Sequence, residues 1–315
     1  AGWIGNIDFN KTNFMISVLE PRGPDAFGEW VSKNKKVWLG HRRLKILDLS
    51  DIANQPMTSK CNRYVLCYNG EIYNYKTLRN KLHKEHNVVF NGESDTEVLL
   101  NALIIWGTNK TLKEIKGMYA FAFYDVLREI TTLARDHFGI KPLYYYLDDK
   151  ALIFASNLDS IRASKHIFED YNTDSLHYYF KYLCTPHPET ILKNVSKLSP
   201  GSKLTYKNND LKIVNFYSNT SIKKNRDLTL GNVIKRLDNI LKEVVDEHMA
   251  SDVSYGAFLS GGIDSSLVVS IMQSISKKPI QTFSIGFSKD KNDESVFAEE
   301  TANYLKTKHN QKTIL

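Results

Sequence analysis

Cysteines, long apolar runs and basic clusters are all scarce in this sequence, and each scarcity excludes a class of protein. The 315 residues include three cysteines, Cys61, Cys67 and Cys184. They are too few and too irregularly spaced for a disulfide framework or a zinc site, so we expect a reduced, cytoplasmic chain. No apolar run reaches membrane length, so we expect no membrane partner. The net charge is +7, but the lysines are dispersed and lack interleaved aromatics, which argues against a nucleic-acid partner.

Length and composition predict two ordinary domains with packed cores, because 42% of the residues are hydrophobic. The first half is rich in short strand patterns, which favours stacked antiparallel sheets flanked by helices. A capping box at residues 94–97 opens an apolar helix that we expect to run through Trp106 and stop at Gly107. Strands are predicted at residues 1–5, 37–47, 64–68, 119–124, 130–134, 143–146 and 151–155.

The composition turns polar between residues 201 and 228. We predict a linker there, which joins a first domain of residues 1–200 to a second of residues 229–315. In the second domain, strands at 255–259 and 280–287 alternate with helices, and a third strand is expected from Lys312. This alternation predicts an α/β doubly wound parallel sheet. Because three parallel strands would leave an open edge, we expect these residues to be part of a longer polypeptide.

The most informative stretch is the polar run that follows the strand ending at Leu259. Ser260-Gly261-Gly262 is predicted to make a turn, and Asp264-Ser265-Ser266 to form the first helical turn. Such a junction aims free backbone N–H groups at one point, the glycines allow a ligand close to the backbone, and Asp264 offers a metal ligand beside phosphate oxygens. A plain structural turn is the alternative, but so polar a run is costly there. The stretch therefore predicts a pyrophosphate cradle, although it lacks the Gly-Lys-Ser/Thr of a Walker A loop.

Motifs along the whole chain resemble those of one family. The loop at residues 260–266 resembles the signature of the ATP pyrophosphatases, which split ATP to AMP and pyrophosphate. The first half resembles the class II glutamine amidotransferase domains of glutamine-dependent asparagine synthetases. The motifs occur in that family's order: RGPD at 22–25, HRRLKILDLS at 41–50, QPM at 55–57, NGEIYN at 69–74, SDTEV at 94–98, GMYAFAFYD at 117–125, RDHFGIKPLYY at 135–145, SDVSYG at 251–256, SGGIDSS at 260–266, FSIGF at 283–287 and DES at 293–295.

The resemblance implies an N-terminal-nucleophile fold for the first domain, an αββα sandwich of four layers. It also implies that Asn69 and Gly70 form the oxyanion hole for glutamine hydrolysis, and that Glu71 and Asp95 hold the α-ammonium of glutamine. Arg43 is implied to pair with the glutamine α-carboxylate, as a guanidinium fork suits. The resemblance places four further residues in the glutamine site: Leu44, Lys45, Ile46 and Leu47.

Position 1 departs from the family, whose nucleophile is a cysteine at the first residue of the mature chain. Only that residue has a free α-amine, with a pKa of about 7.7–8.0, that can take the proton of its own thiol. Here the residue is Ala1, and a methyl group cannot attack an amide. We therefore expect no glutaminase activity from this sequence. An engineered cysteine-to-alanine exchange and a natural loss, as in β-lactam synthetases of this fold, are the two alternatives; the otherwise intact site favours the first.

The resemblance implies that ammonia from glutamine passes to the second domain, where ATP and Mg²⁺ convert aspartate to a β-aspartyl-adenylate and ammonia displaces AMP to give asparagine. Ser260, Gly261, Gly262 and Asp264–Ser266 would bind pyrophosphate and metal, and Leu259 and Ile285 would meet the adenosine. The family also implies a homodimer. Two alternatives stay open: an amidotransferase or cyclase that acts on another carboxylate, and a non-catalytic module that binds glutamine or ATP.

Overall fold

The computed structural model describes residues 1–218, 229–287 and 293–314. The chain divides into two compact units, Ala1–Ile222 and Lys223–Leu315. Among the residues described, no helix combines the length and the apolar character needed to cross a membrane.

The first unit contains two antiparallel sheets of six strands each. In chain order the strands are β1 Gly2–Gly5, β2 Ala26–Val31, β3 Val37–Arg43, β4 Met57–Thr58, β5 Tyr64–Ile72, β6 Gly117–Asp125, β7 Ile130–Arg135, β8 Tyr144–Leu147, β9 Ala151–Ala155, β10 Val195–Lys197, β11 Ser202–Lys207 and β12 Asp210–Asn215. One sheet has the order β10-β8-β9-β1-β3-β2, and the other has the order β12-β11-β7-β6-β5-β4.

Three hydrophobic clusters hold this unit together as four layers. The middle cluster lies between the sheets, where Leu39 from one sheet packs with Val65 and Ala122 from the other. The two outer clusters pack helices against the outer sheet faces. The predicted αββα sandwich is therefore confirmed. The helices are α1 Thr12–Ser17, α2 Tyr75–His86, α3 Asp95–Glu114, α4 Leu158–Ala163 and α5 Thr173–Tyr182.

The start of α3 agrees with the sequence prediction, but its end does not. The Ser94 side chain accepts a hydrogen bond from the Glu97 N–H and caps the helix. Gly107 was predicted to stop the helix. It has φ 73° and ψ 165°, which interrupts the helix locally, and the helix then resumes to Glu114. Gly107 therefore kinks the helix and does not end it. The helix resumes because its last turns still bury Leu112 in the core.

The linker predicted at 201–228 is wrong over its first half. Residues Ser202–Lys207 and Asp210–Asn215 form a hairpin at the edge of the second sheet. Its two turn residues, Asn208 and Asn209, have φ 49° and 63°, as a two-residue hairpin turn with positive φ requires. Residues 219–228 of the predicted linker lie outside the described ranges.

The second unit contains a parallel sheet, as predicted. Its strands are β13 Gly256–Phe258, β14 Gln281–Phe287 and β15 Lys308–Ile314, paired in that order. The third strand begins at Lys308 rather than at Lys312. The accompanying helices are α6 Leu230–His248, α7 Ile263–Ile275 and α8 Ser295–Leu305. Two small clusters, centred on Met272 and Val269, form the core of this unit.

Candidate active site

Two cavities of the first unit share part of their lining. The smaller, of about 90 Å³, is lined by Ala1, Gly40 and Cys67 among others. The larger, of about 340 Å³, is lined by Gly70, Glu71 and Asp95 among others. Five residues line both cavities and so join them: Arg22, His41, Arg42, Tyr68 and Asn69.

Ala1 is fixed in the smaller cavity by a sheet-like pair of hydrogen bonds. Its α-amine donates to the Gly40 carbonyl at 2.9 Å, and the Gly40 N–H donates to the Ala1 carbonyl at 2.9 Å. Burial lowers the pKa of the α-amine, and the nearby Cys67 has a smaller, opposite effect. The α-amine therefore loses its proton more readily than an exposed one, which suits it to accept a proton from a side chain at position 1.

The free edge of β5 supplies the donors of the site. Strand β4 pairs only with Val65 and Leu66, and beyond them side chains take over the edge. The Tyr68 N–H donates to Gln55 Oε1 at 2.6 Å, and the Ile72 N–H donates to Asp95 Oδ2 at 2.9 Å. Alternate residues of an antiparallel strand present their N–H groups to the same edge. The Gly70 N–H, midway between these two, therefore faces the larger cavity.

Gly70 has no room for a side chain. A methyl group on its Cα would lie 2.1 Å from the Met118 carbonyl oxygen and 2.7 Å from Tyr119 Cα on the paired strand β6. Only glycine allows this approach and so keeps the Gly70 N–H at the cavity wall. Asn69 contributes amide N–H donors next to it, where both cavities meet.

His41 fixes the carbonyl that precedes Asn69. Its Nε2 lies 3.0 Å from the Tyr68 carbonyl oxygen, and because a carbonyl can only accept, Nε2 carries the proton. Burial is the main cause that lowers the pKa of His41 to about 3. The imidazole is therefore neutral near pH 7, and the peptide that leads into Asn69 is held without a positive charge beside it.

Asp95 is a buried carboxylate in the wall of the larger cavity, with 5% of its surface exposed. It is the first residue of α3, and its Oδ2 accepts from the Tyr68 hydroxyl and the Ile72 N–H, both at 2.9 Å. Burial raises the pKa of this carboxyl, and the hydrogen bonds that it accepts oppose the rise. A cationic ligand group in the cavity would favour the ionised form further.

Arg43 lies in the wall of the larger cavity, but its guanidinium is engaged by the chain. The sequence predicts a strand that continues to residue 47, but strand β3 ends at Arg43. Nη1 donates to the Ser50 carbonyl and Asn54 Oδ1, and Nη2 donates to the Leu47 and Asp48 carbonyls. The family resemblance implies that Arg43 pairs with the α-carboxylate of glutamine. The structure shows instead a clamp in which both terminal nitrogens of the guanidinium hold three main-chain carbonyls and the Asn54 side chain.

The residues after Arg43 divide into two groups. Leu44, Ile46 and Leu47 line the larger cavity. Lys45 is not among its lining residues, because its N–H donates to Asp25 Oδ2 at 2.9 Å and its Nζ lies 3.1 Å from Asp51 Oδ1. Of the residues that the resemblance places in the glutamine site, the structure brings together all but Lys45.

In the second unit, the predicted cradle is built mainly from backbone. Helix α7 begins after Gly262, which has no side-chain cap, so the first N–H groups of the helix are available to an anion. Gly261 has φ 77°, and a methyl group there would lie 2.6 Å from Phe297 Cβ. The Ser260 and Ser265 hydroxyls lie 3.0 Å apart, and Ser265 also donates to the Gly262 carbonyl.

The other predicted ATP-site residues of this unit differ in exposure. Asp264 is exposed and Ser266 is partly exposed on the first turn of α7. Ile285 is exposed and lines a shallow apolar hollow with Phe258 and Phe283. The Leu259 side chain packs in the core with Val269, so only its backbone can face a ligand. Within the described part of the chain, no group of three or more His, Cys, Asp or Glu side chains is placed to hold a metal ion.

Comparison with known proteins gives the family. Residues 1–217 match the glutamine amidotransferase domain family. The chain belongs to that family. Residues 236–314, which follow the amidotransferase domain, match the asparagine synthase family.

Named relatives of the amidotransferase chain are similar in sequence over nearly all of it. A Methanocaldococcus jannaschii protein named for glutamine-hydrolyzing asparagine synthetase is 35% identical over 95% of this chain and 61% of its own length. Asparagine synthetase (glutamine-hydrolyzing) 1 of Bacillus subtilis is 34% identical over 95% of this chain and 46% of its own length. This chain thus spans about half the length of the curated relatives that it matches.

A solved structure shows the same fold. The glutamine phosphoribosylpyrophosphate amidotransferase of Bacillus subtilis, complexed with ADP and GMP, aligns with 98% of this chain and 64% of its own chain. The TM-score is 0.53 at 16% identity, and the likeness concerns the fold alone.

Three residues of the site received no role from the sequence. Tyr68, His41 and Gln55 each flank or belong to a recognised motif, but their hydrogen bonds depend on the free edge of β5. The early end of the β4 pairing, two residues before Tyr68, is a tertiary feature. The sequence signals that could have found them are the membership of His41 and Gln55 in two of the motifs and the position of Tyr68 next to the predicted oxyanion hole.

Proposed function

We propose that this chain is the glutamine-hydrolysing domain and the first part of the ATP domain of an asparagine synthetase. The observation that carries the proposal is the pair of neighbouring cavities, with Ala1 in the wall of one, Asp95 in the wall of the other and Asn69 in the wall of both. It offers glutamine a buried anion for its α-ammonium at one end and a position for a nucleophile at the other. A chain of methylene groups that ends in an amide matches this arrangement.

The proposed hydrolysis uses three groups of the first unit. A cysteine at position 1 attacks the amide carbon, and the buried α-amine accepts its thiol proton. The Gly70 N–H and the Asn69 side chain stabilise the oxyanion of the tetrahedral intermediate. The α-amine then returns the proton to the departing ammonia, and water hydrolyses the thioester to glutamate. Ala1 removes the nucleophile and with it every later step, although the donors and the α-amine remain in place.

We propose that the second unit binds the phosphates of ATP. The uncapped start of α7 and the Ser260–Gly262 turn fit a pyrophosphate group, since backbone N–H groups and hydroxyls are its usual donors. Mg²⁺, when bound, neutralises phosphate charge. Asp264 is the carboxylate placed to hold it, and one protein carboxylate plus phosphates is a common set for this ion. Ile285 and the apolar hollow beside it would receive the adenine ring. The acceptor is proposed to be aspartate, activated as its β-adenylate.

The decisive experiment replaces Ala1→Cys, verifies by mass spectrometry that the α-amine is free, and measures ammonia released from glutamine. Loss of a catalytic nucleophile lowers kcat by about 10⁶ in a serine protease, so we expect a gain of several orders of magnitude over the parent. Ala1→Ser is the matched control, because it adds a poorer nucleophile of similar size. A folded Ala1→Cys protein that releases no more ammonia than the parent would exclude the proposal and favour a non-catalytic module.

A further inference from the structure

Tyr68 is held at three points, and its side chain reaches the carboxylate of the larger cavity. Its N–H donates to Gln55 Oε1, its carbonyl accepts from His41 Nε2, and its hydroxyl donates to Asp95 Oδ2. The side chain is 3% exposed. The main-chain N–H and carbonyl of Tyr68 are thus both bonded to side chains, and a third hydrogen bond holds its phenol.

We infer that Tyr68 is a positioning residue for the α-ammonium of the substrate, because its phenol holds the Asp95 carboxylate by Oδ2 in the wall of the larger cavity. The assignment rests on the proposed function and adds a residue that does not itself touch the reacting atoms. The phenol and the Ile72 N–H both bond to Oδ2. With one oxygen held by two donors, the carboxylate cannot turn away from the cavity that Asp95 lines.

The ionisation of both partners supports this role. Burial is the main cause that raises the pKa of Tyr68 well above its ordinary value, so the phenol remains a donor at neutral pH. Burial also raises the pKa of Asp95, and the phenol hydrogen bond is one of the contacts that lower it again. Removal of the hydroxyl should therefore make Asp95 harder to ionise, and a neutral carboxyl attracts an ammonium group only weakly.

The test uses the chain with Ala1, which binds glutamine without hydrolysing it under the proposal. Ligand-detected NMR titration gives dissociation constants for L-glutamine and for glutaramate, the same amide chain without the α-ammonium. We expect Tyr68→Phe to weaken glutamine about tenfold, as for a lost hydrogen bond to a charged group. Glutaramate affinity should stay within about twofold, because the missing contact concerns only the ammonium.

Tyr64→Phe is the matched control, since Tyr64 lies on the same strand but stacks on Phe123 and lines neither cavity. It should change neither affinity. The acid limb of glutamine binding should also move to higher pH in Tyr68→Phe. Equal weakening of both ligands would show a merely structural role and overturn the assignment. Unchanged glutamine affinity would overturn it too, while a parent chain that binds no glutamine would overturn the proposed function with it.

Discussion

The two candidate sites of this chain are built from different materials. In the first unit, the site consists of side chains that are themselves core residues: Tyr68 and Asp95 are 3% and 5% exposed, and the strand beneath them lies between two hydrophobic clusters. In the second unit, the site consists of an exposed turn, the start of a helix and small hydroxyl side chains. The difference predicts how each site responds to mutation.

A site made of core residues couples ligand recognition to folding, because a change that alters the site also alters packing. In a site made of exposed backbone groups, ligand recognition and folding are largely independent, because the groups that bind the ligand contribute little to core packing. Substitutions in the first unit should therefore affect both stability and binding. Substitutions on the exposed turn should affect mainly binding, except at Gly261, where a methyl group would lie 2.6 Å from Phe297 Cβ.

The largest contrast is expected between Gly70→Ala and Gly262→Ala. A methyl group at Gly70 would lie 2.1 Å from the Met118 carbonyl oxygen, whereas at Gly262 it would meet only Ser260 Oγ at 3.4 Å. We expect the free energy of unfolding of the first unit to fall by about 3 kcal/mol or more in Gly70→Ala. Because Gly262 is the N-cap of α7, where alanine is less favourable than glycine, Gly262→Ala should cost no more than about 1 kcal/mol in urea denaturation. Comparable losses in both variants would contradict the comparison.

Asp95→Asn should have a smaller effect, and it should act in opposite directions on glutamine affinity and on stability at neutral pH. Glutamine affinity should fall about tenfold to a hundredfold, because the ammonium loses an ionic partner. Because the folded pKa of Asp95 is raised, the stability that its carboxyl contributes is present at low pH and is lost as pH rises through that pKa. The difference in Tm, variant minus parent, should therefore become more positive as the pH rises from acidic to neutral. Calorimetric scans across that range check the sign, and a gain that shrinks toward neutral pH would refute it.

The smallest effect should come from Ser265→Ala on the exposed turn. This change removes the hydroxyl that contacts Ser260 and the Gly262 carbonyl. We expect ATP affinity to fall about fivefold, which corresponds to one modest hydrogen bond, with Tm unchanged. Ser274→Ala at the far end of the same helix, where the hydroxyl bonds the Ile271 carbonyl, is the control and should leave ATP affinity unchanged. A fall in Tm with no change in affinity would reverse the assignment.

Local chemistry explains which parts of the fold could be predicted. The Ser94 cap and the strand at residues 151–155 follow from nearest-neighbour patterns and are confirmed. The hairpin at 202–215 also has a sequence signal, because Leu204 and Tyr206 alternate with the polar residues Lys203, Thr205 and Lys207, and Asn208-Asn209 is a hairpin signal. Polar composition alone predicts a linker there, whereas the two-residue hydrophobic period predicts strands.

The sequence predicts which residues line the candidate site but not the hydrogen bonds that they make. Motif order places Asn69, Gly70 and Asp95 correctly around one cavity. It cannot show that Arg43 bonds to main-chain carbonyls or that Lys45 turns toward Asp25. Those contacts depend on where β3 ends and how the following loop folds back, which is decided by packing between segments far apart in the chain.

The clamp at Arg43 has a consequence for how this domain can be altered. Three of its four bonds go to the carbonyls of Leu47, Asp48 and Ser50, and a backbone carbonyl is present whatever side chain stands there. The shape of the loop therefore depends little on the side chains of Leu44, Ile46 and Leu47, whereas the Asp48 carboxylate also holds it through Ser50 and Glu93. A library that varies Leu44, Ile46 and Leu47 while Arg43 and Asp48 are kept would reshape the wall of the cavity without changing the path of the loop backbone.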